Sequence, residues 1–136
     1  RAAGVATDWC KKMLERRYRL SLQHGDFAIW NLRLTPVGLY AIDWEWAVED
    51  GVAGMDLAHG LRREAVMIRR LGARGAIARI RRQAARTHWR FYLEACGWGQ
   101  AHDDWLRLGL IRSHFNAESD SRALLAELGV RLGPAA

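Results

Sequence analysis

The chain has 136 residues, the length of one ordinary domain, and half of them are hydrophobic with only two prolines, which excludes a disordered tail, a collagen-like repeat and a low-complexity linker. No apolar stretch approaches the roughly 18–20 residues that span a bilayer, and the two cysteines, Cys10 and Cys96, lie too far apart in sequence for a CxxC pair, which argues against a cysteine-rich zinc site. The net charge of +6 is unevenly spread: between His24 and Asp56 the acids Asp26, Asp43, Glu45, Glu49, Asp50 and Asp56 stand against the single base Arg33, an acidic segment in a basic chain and the place to look for a cation.

In chain order, residues from about 7 to 22 read as a helix. Thr7 or Asp8 would cap it, and Trp9, Met13, Leu14 and Tyr18 recur at helical spacing between basic residues. His24-Gly25-Asp26 ends that pattern, because a glycine followed by a short polar side chain suits a sharp turn. Asn31-Leu32-Arg33-Leu34 and Leu39-Tyr40-Ala41-Ile42-Asp43 are two short alternating runs on either side of Pro36 and Gly38, and they predict a hairpin. Centred on Val37, it would pair Leu34 with Tyr40, Arg33 with Ala41, Leu32 with Ile42 and Asn31 with Asp43. Leu32, Leu34, Tyr40 and Ile42 then share an apolar face, and Asn31 and Asp43 oppose each other on the other face with Cα atoms roughly 4.5–5.5 Å apart. Burial of the apolar face would fix this register, since a one-residue slip exposes the leucines.

Residues 44–55 read as a loop containing Gly51 and Gly54. Helices are expected at about 56–71, 74–96, 101–116 and 119–129, punctuated by Gly72, Gly75, Gly97, Gly99 and Gly129. With no internal repeat and no boundary to a second domain, residues 1–136 read as a single α+β domain, mainly helical, with one small hairpin. The arginines between Arg79 and Arg90 fall on helical spacing that spreads their charge around the axis. His59, His88, His102 and His114 have no ligand spacing and read as surface or core residues, while Trp30, Trp44 and Trp46 read as packing beneath the loops.

Asp26, Asn31 and Asp43 are the residues that carry chemistry. Mg²⁺ takes a few carboxylate or amide oxygens and completes its octahedron with water and substrate phosphates, so one amide and one carboxylate across a hairpin suit it. Asp26, five residues before Asn31, lies at the mouth of the same loop, within reach of a substrate hydroxyl beside such an ion.

His24-Gly25-Asp26-Phe27-Ala28-Ile29-Trp30-Asn31 resembles the HGDxxxxN motif of the aminoglycoside phosphotransferase and choline kinase family. Ile42-Asp43-Trp44-Glu45, followed by Gly54 and Asp56-Leu57-Ala58, is similar to that family's IDWE…G…DLA block. Protein kinases keep a comparable order, a catalytic-loop Asp with an Asn five residues on and a later metal-binding Asp. The resemblance implies the C-terminal lobe of a protein-kinase-like fold whose hairpin carries the metal ligands. Asp26 would be the catalytic base, Asn31 and Asp43 would hold Mg²⁺ on the phosphates of ATP, and His24, Asp56 and Glu45 would support the loops. The implied reaction transfers the γ-phosphoryl group to a hydroxyl of a small molecule: an aminoglycoside, a choline-like alcohol, a sugar or a related metabolite.

The motifs are confined to residues 24–58. No glycine-containing phosphate loop or strand lysine precedes His24; the only lysines, Lys11 and Lys12, fall on the first predicted helix. The N-terminal ATP-binding lobe is therefore expected outside this chain, which would be inactive alone. The second reading is a catalytically inactive binding or interaction module. Neither nucleic acid nor membrane is expected as a partner, and the unpaired cysteines and absent export signal point to the cytoplasm.

Overall fold

Ala76, Ile77, Ile80 and Ala84 line one face of a helix by their spacing, and all four are buried. They belong to the helical body of a computed structural model that describes residues 2–115 and 120–130. In chain order its elements are α1 (Ala2–Glu15), β1 (Leu20–Gln23), a 3₁₀ turn (Ile29–Asn31), β2 (Leu32–Thr35), β3 (Gly38–Ala41), β4 (Val48–Val52), α2 (Met55–Arg63), a π-helical turn (Glu64–Ile68), α3 (Ala73–Ala84), α4 (Thr87–Ala95), α5 (His102–Phe115) and α6 (Ser121–Glu127). The protein is α+β, 56% helical, with two separate two-stranded antiparallel sheets, β1–β4 and β2–β3. No helix among the described residues is long and apolar enough to cross a membrane.

The core lies between the helices. Met55, Leu57 and Ala58 of α2 pack with Ala76, Ile77 and Ile80 of α3, Trp105, Leu106 and Leu110 of α5 and Leu124 and Leu125 of α6. A Cβ on Gly109 would stand 2.6 Å from the Cβ of Ala58, so α5 and α2 approach through a residue without a side chain. Arg62, fully buried on α2, bonds both carboxylate oxygens of Asp120 at 2.7 and 2.8 Å and ties α2 to the start of α6. α1 docks on α5 through Asp104, which accepts from Trp9 Nε1 at 2.8 Å and Lys12 Nζ at 2.7 Å.

Three sequence expectations are corrected. The first helix ends at Glu15 and runs through Thr7 and Asp8 rather than being capped by them; residues 20–23 are instead strand β1. β4 lies inside the segment expected to be a loop, and it pairs with β1 in the register Leu20↔Val52, Ser21↔Gly51 and Gln23↔Val48. The single helix expected over 74–96 breaks at Arg86, whose backbone is extended. A continuous helix would turn about 180° between Ala84 and Leu93, nine residues on. The break lets both reach the core. The expected helix ends at 116 and 119 lie outside the described residues.

The hairpin register also differs by one residue. Leu32 pairs with Ala41, Arg33 with Tyr40, Leu34 with Leu39 and Thr35 with Gly38, around a two-residue turn of Pro36 and Val37. Thr35 Oγ1 accepts from the Val37 N–H at 3.3 Å and donates to the Gly38 carbonyl at 3.0 Å, while Gly38 sits at φ 147°. Register follows a hydrophobic pattern only where one face is buried. Here Leu34, Leu39, Tyr40 and Ile42 are all exposed, so burial does not choose between registers and the turn does.

Candidate active site

The β1–β4 pairing brings the two halves of the site together. β1 ends at Gln23, immediately before His24, and β4 leads through Ala53 and Gly54 into α2, whose second residue is Asp56. Trp98 Nε1 donates to the Ala53 carbonyl at 2.8 Å and Trp105 Nε1 to the Gly54 carbonyl at 2.9 Å, both fully buried, so the helical body holds this junction. Asp56 Oδ2 then accepts from the His24 N–H at 2.7 Å and its Oδ1 from the Gly25 N–H at 3.2 Å. One carboxylate thus spans the turn that carries Asp26.

Gly25 occupies that turn at φ 85°, and a Cβ there would collide with the Trp46 carbonyl. His24 is buried, its Nε2–H donates to the Ile42 carbonyl at 2.7 Å, and its ring centroid lies 4.6 Å from that of Trp44. Because a carbonyl only accepts, this contact fixes the proton on Nε2. The loop is therefore fastened to α2 through its backbone and to the segment after β3 through an imidazole.

Asp26 receives donors on both carboxylate oxygens. His59 Nε2 lies 2.8 Å from Oδ1, Arg63 Nη2 3.4 Å from the same oxygen, and Asn31 Nδ2 3.2 Å from Oδ2. Arg63 Nε is also 3.3 Å from His59 Nε2, but a carboxylate at 2.8 Å requires that nitrogen to carry its proton toward Asp26, so Arg63 acts there as a charge. Burial pushes the Asp26 carboxyl up. The hydrogen bond and charge of His59, the charge of Arg63 and the Asn31 amide outweigh it and hold the carboxyl below its ordinary 3.8.

Asn31 is buried at the end of the 3₁₀ turn, not in a strand, and its Nδ2 also donates to the Asp26 carbonyl at 2.9 Å. With that nitrogen committed to Asp26, Oδ1 is the atom suited to a cation. Asp43 is exposed and stands in the left-handed region at φ 67°, past the end of β3. It does not oppose Asn31: the residue bonded to the Asn31 carbonyl is Ile42, whose N–H donates at 2.9 Å. The sequence-derived pairing of Asn31 with Asp43 therefore fails with the register that produced it. Glu45 is exposed in the turn that follows. Among the described residues no three His, Cys, Asp or Glu side chains cluster to hold a metal; an ion on Asn31 and Asp43 would draw its remaining ligands from phosphates and water.

Sequence reasoning missed His59 and Arg63. Both lie on α2, three and seven residues after Asp56, the helical spacing that repeats one face, and that spacing was the available signal. Trp30, Trp44 and Trp46, expected beneath the loops, are all at least one-third exposed, and Trp30 carries the Arg63 guanidinium over its ring, 5.4 Å from the centroid. His88 is exposed and His102 half-buried, away from these contacts; the side chain of His114 lies outside what the structure describes. No family model, curated protein or solved structure matches the chain.

Proposed function

We propose that this chain is the catalytic lobe of an ATP-dependent small-molecule phosphotransferase of the aminoglycoside phosphotransferase and choline kinase type, with a protein-kinase-like fold, working in the cytoplasm. The observation that carries this reading is the contact of Asn31 with Asp26 at the end of a loop whose turn is held by Asp56. These bonds involve five of the six positions in the motif order His24-Gly25-Asp26…Asn31…Asp43…Asp56, all but Asp43.

In this mechanism the acceptor hydroxyl approaches Oδ2 of Asp26, the oxygen away from His59 and Arg63, and gives up its proton there as its oxygen bonds to the γ-phosphorus and the bond from that phosphorus to the β,γ-bridging oxygen breaks, releasing ADP. Phosphoryl transfer proceeds through a loose transition state, so a carboxylate held below its ordinary basicity suffices as an orienting group. His59 and Asn31 fix the carboxylate in one rotamer. Bound Mg²⁺ would supply charge neutralisation on the nucleotide phosphates. Asn31 Oδ1 and the Asp43 carboxylate would hold it, and the left-handed backbone at Asp43 would aim that side chain. His24 and Asp56 hold the loop and stay outside the chemistry.

A second reading, an inactive binding module, is favoured by one observation: Leu34, Val37 and Leu39 at the hairpin tip are 85, 83 and 62% exposed. The two readings separate on transfer of labelled γ-phosphate from Mg·ATP to a panel of hydroxylated metabolites by the full-length protein that contains this segment. Transfer is expected, with a loss of at least a hundredfold in Asp26→Ala. No transfer to any acceptor supports the binding module, and undiminished transfer by Asp26→Ala removes Asp26 as the base.

A further inference from the structure

A cavity of about 350 Å³ lies between the β1–β4 sheet and α5. Val48 and Val52 of β4, Met55 at the start of α2 and Leu108 of α5 give it apolar walls, while Gln23 and Arg112 supply its polar side. Gln23, at the end of β1, is 2% exposed, and a Cβ on Gly51 would collide with its side chain, so the glycine leaves the room that the amide takes. Gln23 Nε2 donates to the Val52 carbonyl and Oε1 accepts from Arg112 Nη1. Both bonds require the same orientation of the amide, because a carbonyl only accepts and a guanidinium only donates. Arg112 is half-buried, and no carboxylate among the described residues bonds to it. A positive charge withdrawn from water is ordinarily matched by a carboxylate. Here a guanidinium matched only by a neutral amide oxygen stands beside an apolar hollow.

We propose that this cavity binds a small monocarboxylate with an aliphatic tail, its carboxylate on Arg112 and its tail against Val48, Val52, Met55 and Leu108. The site is separate from the residues around the Asp26 carboxylate, and the proposal does not depend on the phosphotransfer reading. The planar guanidinium keeps N–H groups beyond the one given to Gln23, and a carboxylate accepts from such a group with charge on both partners. The volume stands at the small end of the range of small-molecule pockets, about 300–1,000 Å³, which suits a chain of about six carbons rather than a long lipid. Each methylene that leaves water for these walls adds to the affinity. Glu49 and Asp50 are exposed on the strand that supplies Val48 and Gly51, so a doubly charged phosphate would meet their charge where a single carboxylate meets less of it. An amine would place like charge against Arg112.

Five probes separate head group from tail: hexanoate, 1-hexanol, hexylamine, hexyl phosphate and acetate. Each is titrated into the full-length protein that contains this segment while the methyl ¹³C resonances of Val48, Val52, Met55 and Leu108 and the side-chain ¹⁵N resonances of Arg112 are followed. Hexanoate is expected to shift both sets and to bind about tenfold or more tightly than any of the other four. Arg112→Met keeps the aliphatic stem and removes the charge, so it should bring hexanoate down to the level of 1-hexanol, and Arg112→Lys should restore part of the difference. Val48→Phe fills the cavity from a half-exposed strand position and leaves Arg112 in place, so it should weaken hexanoate while acetate is unchanged. Methyl spectra of the unliganded variants establish that each is folded. The inference is overturned by hexanoate that does not bind or binds no better than 1-hexanol, by tighter binding of the phosphate or the amine, or by a preference that survives Arg112→Met. Hexanoate binding undiminished in Val48→Phe overturns it as well, because the tail would then lie outside this cavity.

Discussion

His59 Nε2 and Asp26 Oδ1 lie 2.8 Å apart across 33 residues of chain, and this contact joins the face of α2 to the loop before the hairpin. It makes the state of the Asp26 carboxyl depend on a residue with no place in the motif that contains Asp26.

A pH dependence follows. The folded carboxyl sits below its ordinary 3.8, so its contacts add stability that is present above about pH 4 and lost as pH falls through the folded value. The stability difference between the native protein and Asp26→Asn should therefore be flat above pH 5 and shrink below pH 4 in denaturant titrations. His59→Ala removes the strongest opposition to burial, so the carboxyl should titrate at higher pH by ¹³C NMR. A titration that does not move in His59→Ala would show that the imidazole is not what holds this group.

Asp56 should be the most costly single carboxylate of the loop. It is half-buried and takes two backbone N–H groups, from His24 and Gly25, and hydrogen bonds to charged groups contribute about 1.5–3 kcal/mol each. Asp56→Ala should lower the unfolding free energy by roughly 3 kcal/mol, and Asp56→Asn by about half as much because its amide keeps one acceptor. Chemical denaturation measures both. Amide exchange at residues 24 and 25 should quicken in proportion.

The positions of the helices in the second half were legible because their apolar residues repeat every three or four places and glycines mark the ends. α2, α3 and α5 begin within a residue of expectation. The break at Arg86 carries no glycine or proline, and its cause is tertiary: Leu93 has to face the same core as Ala84. β1 and β4 were hidden for another reason. Leu20-Ser21-Leu22-Gln23 alternates, but a four-residue run beside a helical pattern is absorbed by that pattern, and Val48–Val52 is mostly acidic and glycine. For the site, the order of Asp26, Asn31, Asp43 and Asp56 could be read directly, and so could a turn at Gly25. The partners of Asp26 could not, because His59 and Arg63 reach it only once β1 and β4 have paired and set α2 against the loop.

The hairpin register makes a local prediction. Gly38 stands at φ 147°, where an L residue is strained, and a Cβ there would meet nothing within 4 Å, so backbone strain is the whole cost of Gly38→Ala. That strain is about 1–3 kcal/mol. Because the hairpin buries little, the loss should stay local: cross-strand NOEs between Arg33 and Tyr40 and between Leu34 and Leu39 should weaken, while amides of α3 and α5 keep their protection. Cross-strand contacts between Leu34 and Tyr40 in the native protein would instead favour the register centred on Val37.

Trp98 and Trp105 should act on the site from beneath it. Their indole N–H groups hold the carbonyls of Ala53 and Gly54, consecutive residues just ahead of Asp56, and neither ring nor carbonyl has water to replace the bond. Replacing either indole with phenylalanine leaves a buried carbonyl without its donor and a small void, a loss of about 2 kcal/mol. The double variant should lose less than the sum of the two, since one loosened junction releases both carbonyls. Because Asp56 is carried on that junction, exchange at the His24 and Gly25 amides should rise in each single variant. Asp103→Asn is the control: its pair with Arg81 joins two half-exposed side chains and bonds neither carbonyl of the junction, and it should change stability by less than about 1 kcal/mol and leave those two amides unaffected. Unchanged exchange in both tryptophan variants would mean that the β1–β4 pairing alone positions Asp56, and that the helical body merely supports the junction without setting the geometry of the loop.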